Sequence, residues 1–325
     1  MLAIYDAADG VLTKRDSASS VTPTTVWVDL FNPTKDEDLL VEQALGISVP
    51  TREEMAEIEA SSRLYHEGGA HVMTAVVLHQ TDKDIETLIA TPVTFILAAN
   101  RLVTVRYAEP RAFTMFLNRA QKKDAPCVSG VAIMVGLLEA IVDREADRVE
   151  RIQAEVDKLS QAIFDIRGGG RSRSRRFDVN IRTIGREGEL TSRSRECLLS
   201  LDRLLTYLAH VMGERGDEKP LRARVKTANR DVQSLADHIG YLSTKITFLL
   251  DATLGMINNE QNTIIKIFSV LAVALMPPTL VGTIYGMNFK HMPELDWQYG
   301  YPMALGMMVI SALVPWFYFK RKGWL

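Results

Sequence analysis

Two charge-free runs near the C-terminus constrain this chain more than any other feature. Ile267 to Phe289 and Trp297 to Phe319 carry no charged side chain, and each spans 23 residues. As helices they would measure about 34 Å at ~1.5 Å per residue, and a bilayer core needs roughly 20 apolar residues. Only seven residues separate them, which predicts a tight transmembrane hairpin. Lys320, Arg321 and Lys322 follow the second run and Lys266 precedes the first, whereas the linker sets Lys290 against Glu294 and Asp296. The positive-inside rule therefore puts both termini in the cytoplasm and the short loop outside. Trp297, Tyr299 and Tyr301 at one end of the second run, and Trp316, Tyr318 and Trp324 at the other, supply interfacial aromatic belts.

Upstream, residues 1 to about 110 read as mixed α/β. Val26–Leu30, Ala70–Leu78, Thr91–Leu97 and Leu102–Tyr107 are β-rich. Thr34 with Glu37 and Thr51 with Glu54 form capping boxes that open two helices. The start of the chain has no basic segment ahead of an apolar run, so no secretory leader is expected. Cys127 and Cys197 lie far apart and fit no metal spacing. His66, His71 and His79 match no metal motif and read as scattered. With a net charge of −2, bulk electrostatics gives no reason to expect nucleic acid. There is no phosphate loop and no nucleophile–base constellation, so an enzyme is not expected.

From about residue 130 the pattern turns helical. Val149, Ile152, Val156, Leu159, Ile163 and Ile166 step by three and four. Leu221, Val225, Ala228, Val232, Leu235, Ile239, Leu242, Ile246, Leu249, Thr253 and Met256 keep the 4-3 rhythm for five heptads. That rhythm predicts a coiled-coil-like seam in contact with neighbouring helices below the membrane. No proline falls between Leu221 and Met276, so one helix should run on into the first span. Pro277-Pro278 is expected to break its ladder, either freeing carbonyls to a pore or forming a packed kink. Arg167 to Arg176 reads as a turn with solvated charges. Asp143, Glu145, Asp147 and Glu150, interleaved with Arg144, Arg148 and Arg151, read as a salt-bridged helix face.

Asp251, Asn262, Ile265, Met276 and Thr279 are spaced 11, 3, 11 and 3 apart. Eleven residues drift only about 20° from three full turns, so the five share one stripe. One such helix cannot enclose a hole, whereas several copies around an axis can. Carboxamide and hydroxyl rings suit a hard cation that keeps its water, as magnesium does. Ile265 and Met276 would form apolar rings that gate by dewetting, and Asp251 would add a ring of negative charge.

The first run closes on Tyr285-Gly286-Met287-Asn288-Phe289. Met292-Pro293-Glu294-Leu295, Gly300-Tyr301-Pro302 and the tail Tyr318-Phe319-Lys320-Arg321-Lys322-Gly323-Trp324-Leu325 follow. This resembles the CorA family of magnesium transporters, in which Gly-Met-Asn ends the first of two C-terminal spans. Asn259-Glu260-Gln261-Asn262, Pro277-Pro278-Thr279-Leu280 and Trp27-Val28-Asp29-Leu30 with Pro33-Thr34 extend the resemblance over the whole chain.

The resemblance implies an α+β membrane protein forming a funnel-shaped homopentamer in the cell inner membrane. Its parts would be a cytoplasmic α/β domain (1–125), a coiled-coil-like helical stalk (126–263) and a two-helix hairpin (264–325). Within the hairpin the spans fall at about 264–286 and 300–319, around an outer loop at 287–299. Gly286, Met287 and Asn288 would form the selectivity filter, with Asn288 holding the waters of hydrated Mg2+. Glu294 would attract cations. Asp251, Asn262, Met276 and Thr279 coincide with the family's pore positions. Mg2+ would be both the transported and the regulatory ion, Co2+ and Ni2+ would pass as similar hydrated ions, and no resident cofactor is implied. The family's Mg2+ sensor is not carried onto named residues. Two alternatives stay open: a zinc transporter of the same superfamily, or a non-transporting membrane-anchored scaffold with a coiled-coil stalk.

Overall fold

The computed structural model describes every residue except 9–10, 16–20, 82–83, 121–128, 165–172, 288–291, 294–296 and 325. The chain divides into two compact units. The first is Met1–Arg167 with Val179–Leu249; the second is Gly168–Asp178 with Leu250–Leu325.

The first unit is built on a seven-stranded sheet of order β2-β1-β3-β7-β6-β5-β4. Its strands are β1 (Leu2–Ala8), β2 (Val11–Lys14), β3 (Thr25–Phe31), β4 (Leu64–Glu67), β5 (Ala70–Thr81), β6 (Asp84–Ala98) and β7 (Arg101–Arg106). All four β-rich runs seen in the sequence coincide with strands. The neighbours β3 and β7 pair in parallel, Val28 opposite Val103 and Leu30 opposite Val105; the other pairs are antiparallel. A parallel pair is buried on both faces. Here Val28, Leu30, Val103 and Val105 pack beneath Val41 of α1 (Lys35–Leu45) and Met55 of α2 (Arg52–Ala56). Both helices open with the expected capping boxes, Thr34 with Glu37 and Thr51 with Glu54.

The opposite face carries Trp27, set against Phe113 and Phe116 of α4 (Arg111–Ala120). A buried polar chain threads this face. Trp27 Nε1 donates to Thr104 Oγ1 at 2.9 Å, and Thr104 Oγ1 donates to Asp29 at 2.7 Å. Arg106 grips both carboxylate oxygens of Asp29, at 2.8 and 3.1 Å. Buried ions persist only when paired and hydrogen-bonded in this way. The Trp-Val-Asp-Leu motif is therefore the spine of the sheet. Further strands and helices not read from the sequence are β1, β2, β4, α3 (Ala60–Arg63) and α4.

Three long helices complete the first unit: α5 (Gly130–Phe164), α6 (Arg173–Arg215) from Val179 onward and the N-terminal part of α7 (Lys219–Tyr285). Arg224 makes a forked contact to Glu139, His238 Nε2 meets Gln153 at 2.8 Å and Lys245 meets Asp157 at 2.5 Å. Those rising pairs set α5 and α7 parallel. Gln233 reaches Asp202 and Asn229 reaches Thr206, so α6 runs antiparallel to α7. Along the 4-3 seam Val225, Ala228, Val232, Ile239, Leu242 and Leu249 are buried within the single chain, so at these positions the neighbours are this chain's own helices. The salt-bridged face is corrected. Arg144 meets Asp147 at the surface, but Glu145 and Arg148 turn inward and pair in the core. Arg148 also donates to Leu78 O at 2.8 Å. Burial raises the Glu145 carboxyl pKa above its ordinary value, opposed by the Arg148 charge.

Candidate ion pathway

The second unit contains Leu250 onward of α7 together with α8 (Gly300–Arg321). Among the described residues, α7 and α8 are the two helices long and apolar enough to cross a membrane, and only 6% of each apolar window is buried within the chain. Helix α7 does not break at Pro277 and Pro278; it continues to Tyr285. Each proline removes one N–H donor, the one that would reach the carbonyl four residues back at Val273 or Ala274. The Thr279 hydroxyl donates to Leu275 O at 3.1 Å and Met276 O at 2.8 Å, and the Thr283 hydroxyl donates to Thr279 O at 2.7 Å. Such back-bonding from Thr to the preceding turn is the usual place for a hydroxyl inside a helix.

Asp251, Asn262, Ile265, Met276 and Thr279 all lie on this half of α7, and all five are exposed in the single chain. At about 100° per residue they share one stripe. Asn258, Ser269 and Thr283 fall on the same stripe by that count and are likewise exposed; the 11-3 spacing alone does not reveal them, but a helical-wheel projection does. The chemistry is consistent along the stripe. A Thr hydroxyl whose proton is committed to a backbone carbonyl presents only lone pairs outward. Asn and Ser add further acceptors, and one carboxylate stands at the Asp251 end.

The helix closes at Gly286, whose N–H donates to Gly282 O at 3.0 Å, and Met287 follows with its side chain exposed. Asn288 and Glu294 lie outside the described residues. Helix α8 meets α7 at Gly282, where a Cβ would lie 3.1 Å from Met308 Cε. At the other end of α8, Lys320 Nζ sits 4.8 Å above the Trp316 ring and Lys322 Nζ 5.2 Å above Tyr318. Basic heads folded over rings fit a membrane–water boundary.

Among the described residues, no three His, Cys, Asp or Glu side chains converge on a metal-sized point. A cavity of about 230 Å³ lies among β5, β6, α5 and α6, but Arg148, Arg151 and Arg186 line it beside Glu155 and Glu187, a poor home for Mg2+.

The chain is similar to known magnesium transport proteins. Residues 23–321 match the family of CorA-like Mg2+ transporter proteins. The magnesium transport protein CorA of Salmonella typhimurium is 35% identical over 327 residues, covering 100% of both chains. The CorA magnesium transporter of Methanocaldococcus jannaschii superposes with a TM-score of 0.72 at 18% identity, over 100% of this chain and 99% of that one. The cytoplasmic domain of Vibrio parahaemolyticus ZntB superposes more weakly, with a TM-score of 0.60 at 10% identity over 79% of this chain and 98% of that one. The chain belongs to the CorA-like Mg2+ transporter family.

Proposed function

We propose that this protein carries hydrated Mg2+ across the cell inner membrane, along the exposed stripe of α7, as a homopentamer with both termini cytoplasmic. The observation that carries the reading is an acceptor-rich stripe on a membrane-length helix of a chain in this family. Mg2+ surrenders its waters reluctantly, and those waters are hydrogen-bond donors. Rings of Asn258, Asn262, Ser269, Thr279 and Thr283 would receive them without stripping the ion. Gly286, Met287 and Asn288 form the outer filter in this reading, and Glu294 concentrates cations before it. Ile265 and Met276 supply apolar rings, and Asp251 supplies charge at the cytoplasmic mouth. Co2+ and Ni2+ pass as ions of similar hydrated size, and cytoplasmic Mg2+ closes the path. Protein and ion then act as a transporter and its cargo, with no enzymatic step. The zinc alternative is weaker, because the stripe carries no Cys or His, the side chains that zinc favours.

The test is Mg2+ flux into liposomes that hold the purified protein and a Mg2+-sensitive dye. Native flux should be lost in Asn288→Ala while insertion and oligomer size stay unchanged. Normal flux in a correctly inserted Asn288→Ala protein would sink the carboxamide ring.

A further inference from the structure

Strands β4 and β5 are joined by Gly68-Gly69, with φ of +59° and +78°. Two successive positive φ values define the tight hairpin turn that glycine makes without steric cost. That turn fixes the register, Glu67 opposite Ala70 and His66 opposite His71. The two imidazoles meet across the strands with ring centroids 4.5 Å apart and planes at 49°. By spacing alone these histidines read as scattered; the hairpin brings them together. His66-Glu-Gly-Gly-Ala-His71 carries the signal, because a two-residue turn puts its second flanking pair side by side.

We propose that His66 and His71 form a binding site for a borderline transition-metal dication such as Ni2+, Co2+ or Zn2+. Imidazole nitrogen suits these ions, whereas Mg2+ demands oxygen. A metal bound by two imidazoles at ~2.0–2.1 Å, with angles near 90–109°, holds their centroids about 4.5–5 Å apart. The pair already stands at that separation. His71 Nδ1 lies 3.3 Å from the Tyr207 hydroxyl of α6. Metal-binding histidines commonly engage a second partner through the other ring nitrogen; this contact occupies Nδ1 and leaves Nε2 for a metal.

The surrounding charges come from α6. His210 and Glu214 pair at 3.3 Å. Arg215 donates to Ala99 O and pairs with Asp217 at 3.4 Å. His66 is exposed, so an ion reaches the pair from solvent, with water in the remaining coordination positions. The site is independent of the transport reading, since binding is read on purified protein without flux.

The experiment is calorimetric titration of tag-free, full-length protein in detergent with Ni2+ in excess Mg2+. The native chain should bind one Ni2+ per chain at this pair. His66→Gln and His71→Gln should each lose about 100-fold or more in affinity, and Tyr207→Phe roughly 10-fold. His79→Ala and His291→Ala should bind as the native chain does. His66 is a solvent-facing side chain, so His66→Gln decides the matter even if a change at His71 disturbs folding. Native affinity in His66→Gln, or loss of binding in His291→Ala instead, would overturn the site.

Discussion

The two halves of α7 are one helix with opposite partners. In the N-terminal half, Val232, Ile239, Leu242 and Leu249 are completely buried by the same chain. In the C-terminal half, Ile264, Ile265, Phe268, Leu271 and Met276 are all exposed. Apolar content is not what separates them. The first half has α5 and α6 beside it and a charged outer face; the second shares its unit with α8 and the first turns of α6, and carries no charge after Lys266 within the helix. One half therefore finds its apolar environment inside the protein, and the other must find it outside, in lipid or in further copies. A residue's place along α7 should decide whether its loss is felt as stability or as transport.

The sharpest way to break that division is a pair of truncations. Leu242→Ala removes a fully buried side chain and should cost about 2–5 kcal/mol. It should be seen as a lower unfolding temperature of the detergent-solubilised protein. Ile265→Ala removes a side chain that is 61% exposed in the single chain. It should leave that unfolding transition in place and change Mg2+ flux instead. If both lower the transition equally, the two halves are not distinct in the way their burial indicates.

Much of this architecture is legible in the sequence because it rests on local signals. Both capping boxes, the β-rich core strands, the proline-free run of α7 and the charge-free hairpin are of that kind. The seam is legible as a seam but not as to its partner, because a 4-3 rhythm records burial and not whose helix does the burying. Glu145 and Arg148 mislead for a related reason. Charges three apart on a helix read as surface, and only Leu78 and Cys197 brought over them make the position a core. The pore stripe is half legible. Asp251, Asn262 and Thr279 stand out by residue type, whereas Ser269 and Thr283 sit in an apolar run where a small hydroxyl attracts no notice. The edge strands β2 and β4 escape because strands of four residues are too short to show a hydrophobic alternation.

Glycine substitutions probe the same comparison at smaller amplitude. At Gly130, where α5 begins, a Cβ would lie 2.4 to 2.8 Å from backbone atoms of Arg101 and Leu102. Backbone cannot yield cheaply, so Gly130→Ala should push α5 off β7 and cost about 1–3 kcal/mol or more. At Gly282 the nearest atom is the end of the flexible Met308 side chain, at 3.1 Å. Gly282→Ala should leave thermal unfolding close to native. An equal loss from both would mean that α7 and α8 pack as rigidly as the sheet and its helices.

The smallest expected effect is a slope against pH, and it also separates the two regions. The run Ile267–Phe289 contains no carboxylate, lysine or histidine, so it contributes nothing to stability between pH 4 and 8 by titration. The first unit buries Glu145, whose carboxyl is raised above its ordinary value by burial against the pull of Arg148. Between the ordinary carboxylate value and that raised one, the folded chain holds a proton that the unfolded chain has released. Folding stability from this group therefore falls as pH rises through the window and is level on either side. Glu145→Gln cannot titrate. Losing the partner of Arg148 should lower stability at every pH, and the pH slope should flatten relative to the native chain. Unfolding curves of both proteins from pH 4 to 8 would decide it, and parallel slopes would mean that Glu145 stays ionised in the core, held there by Arg148.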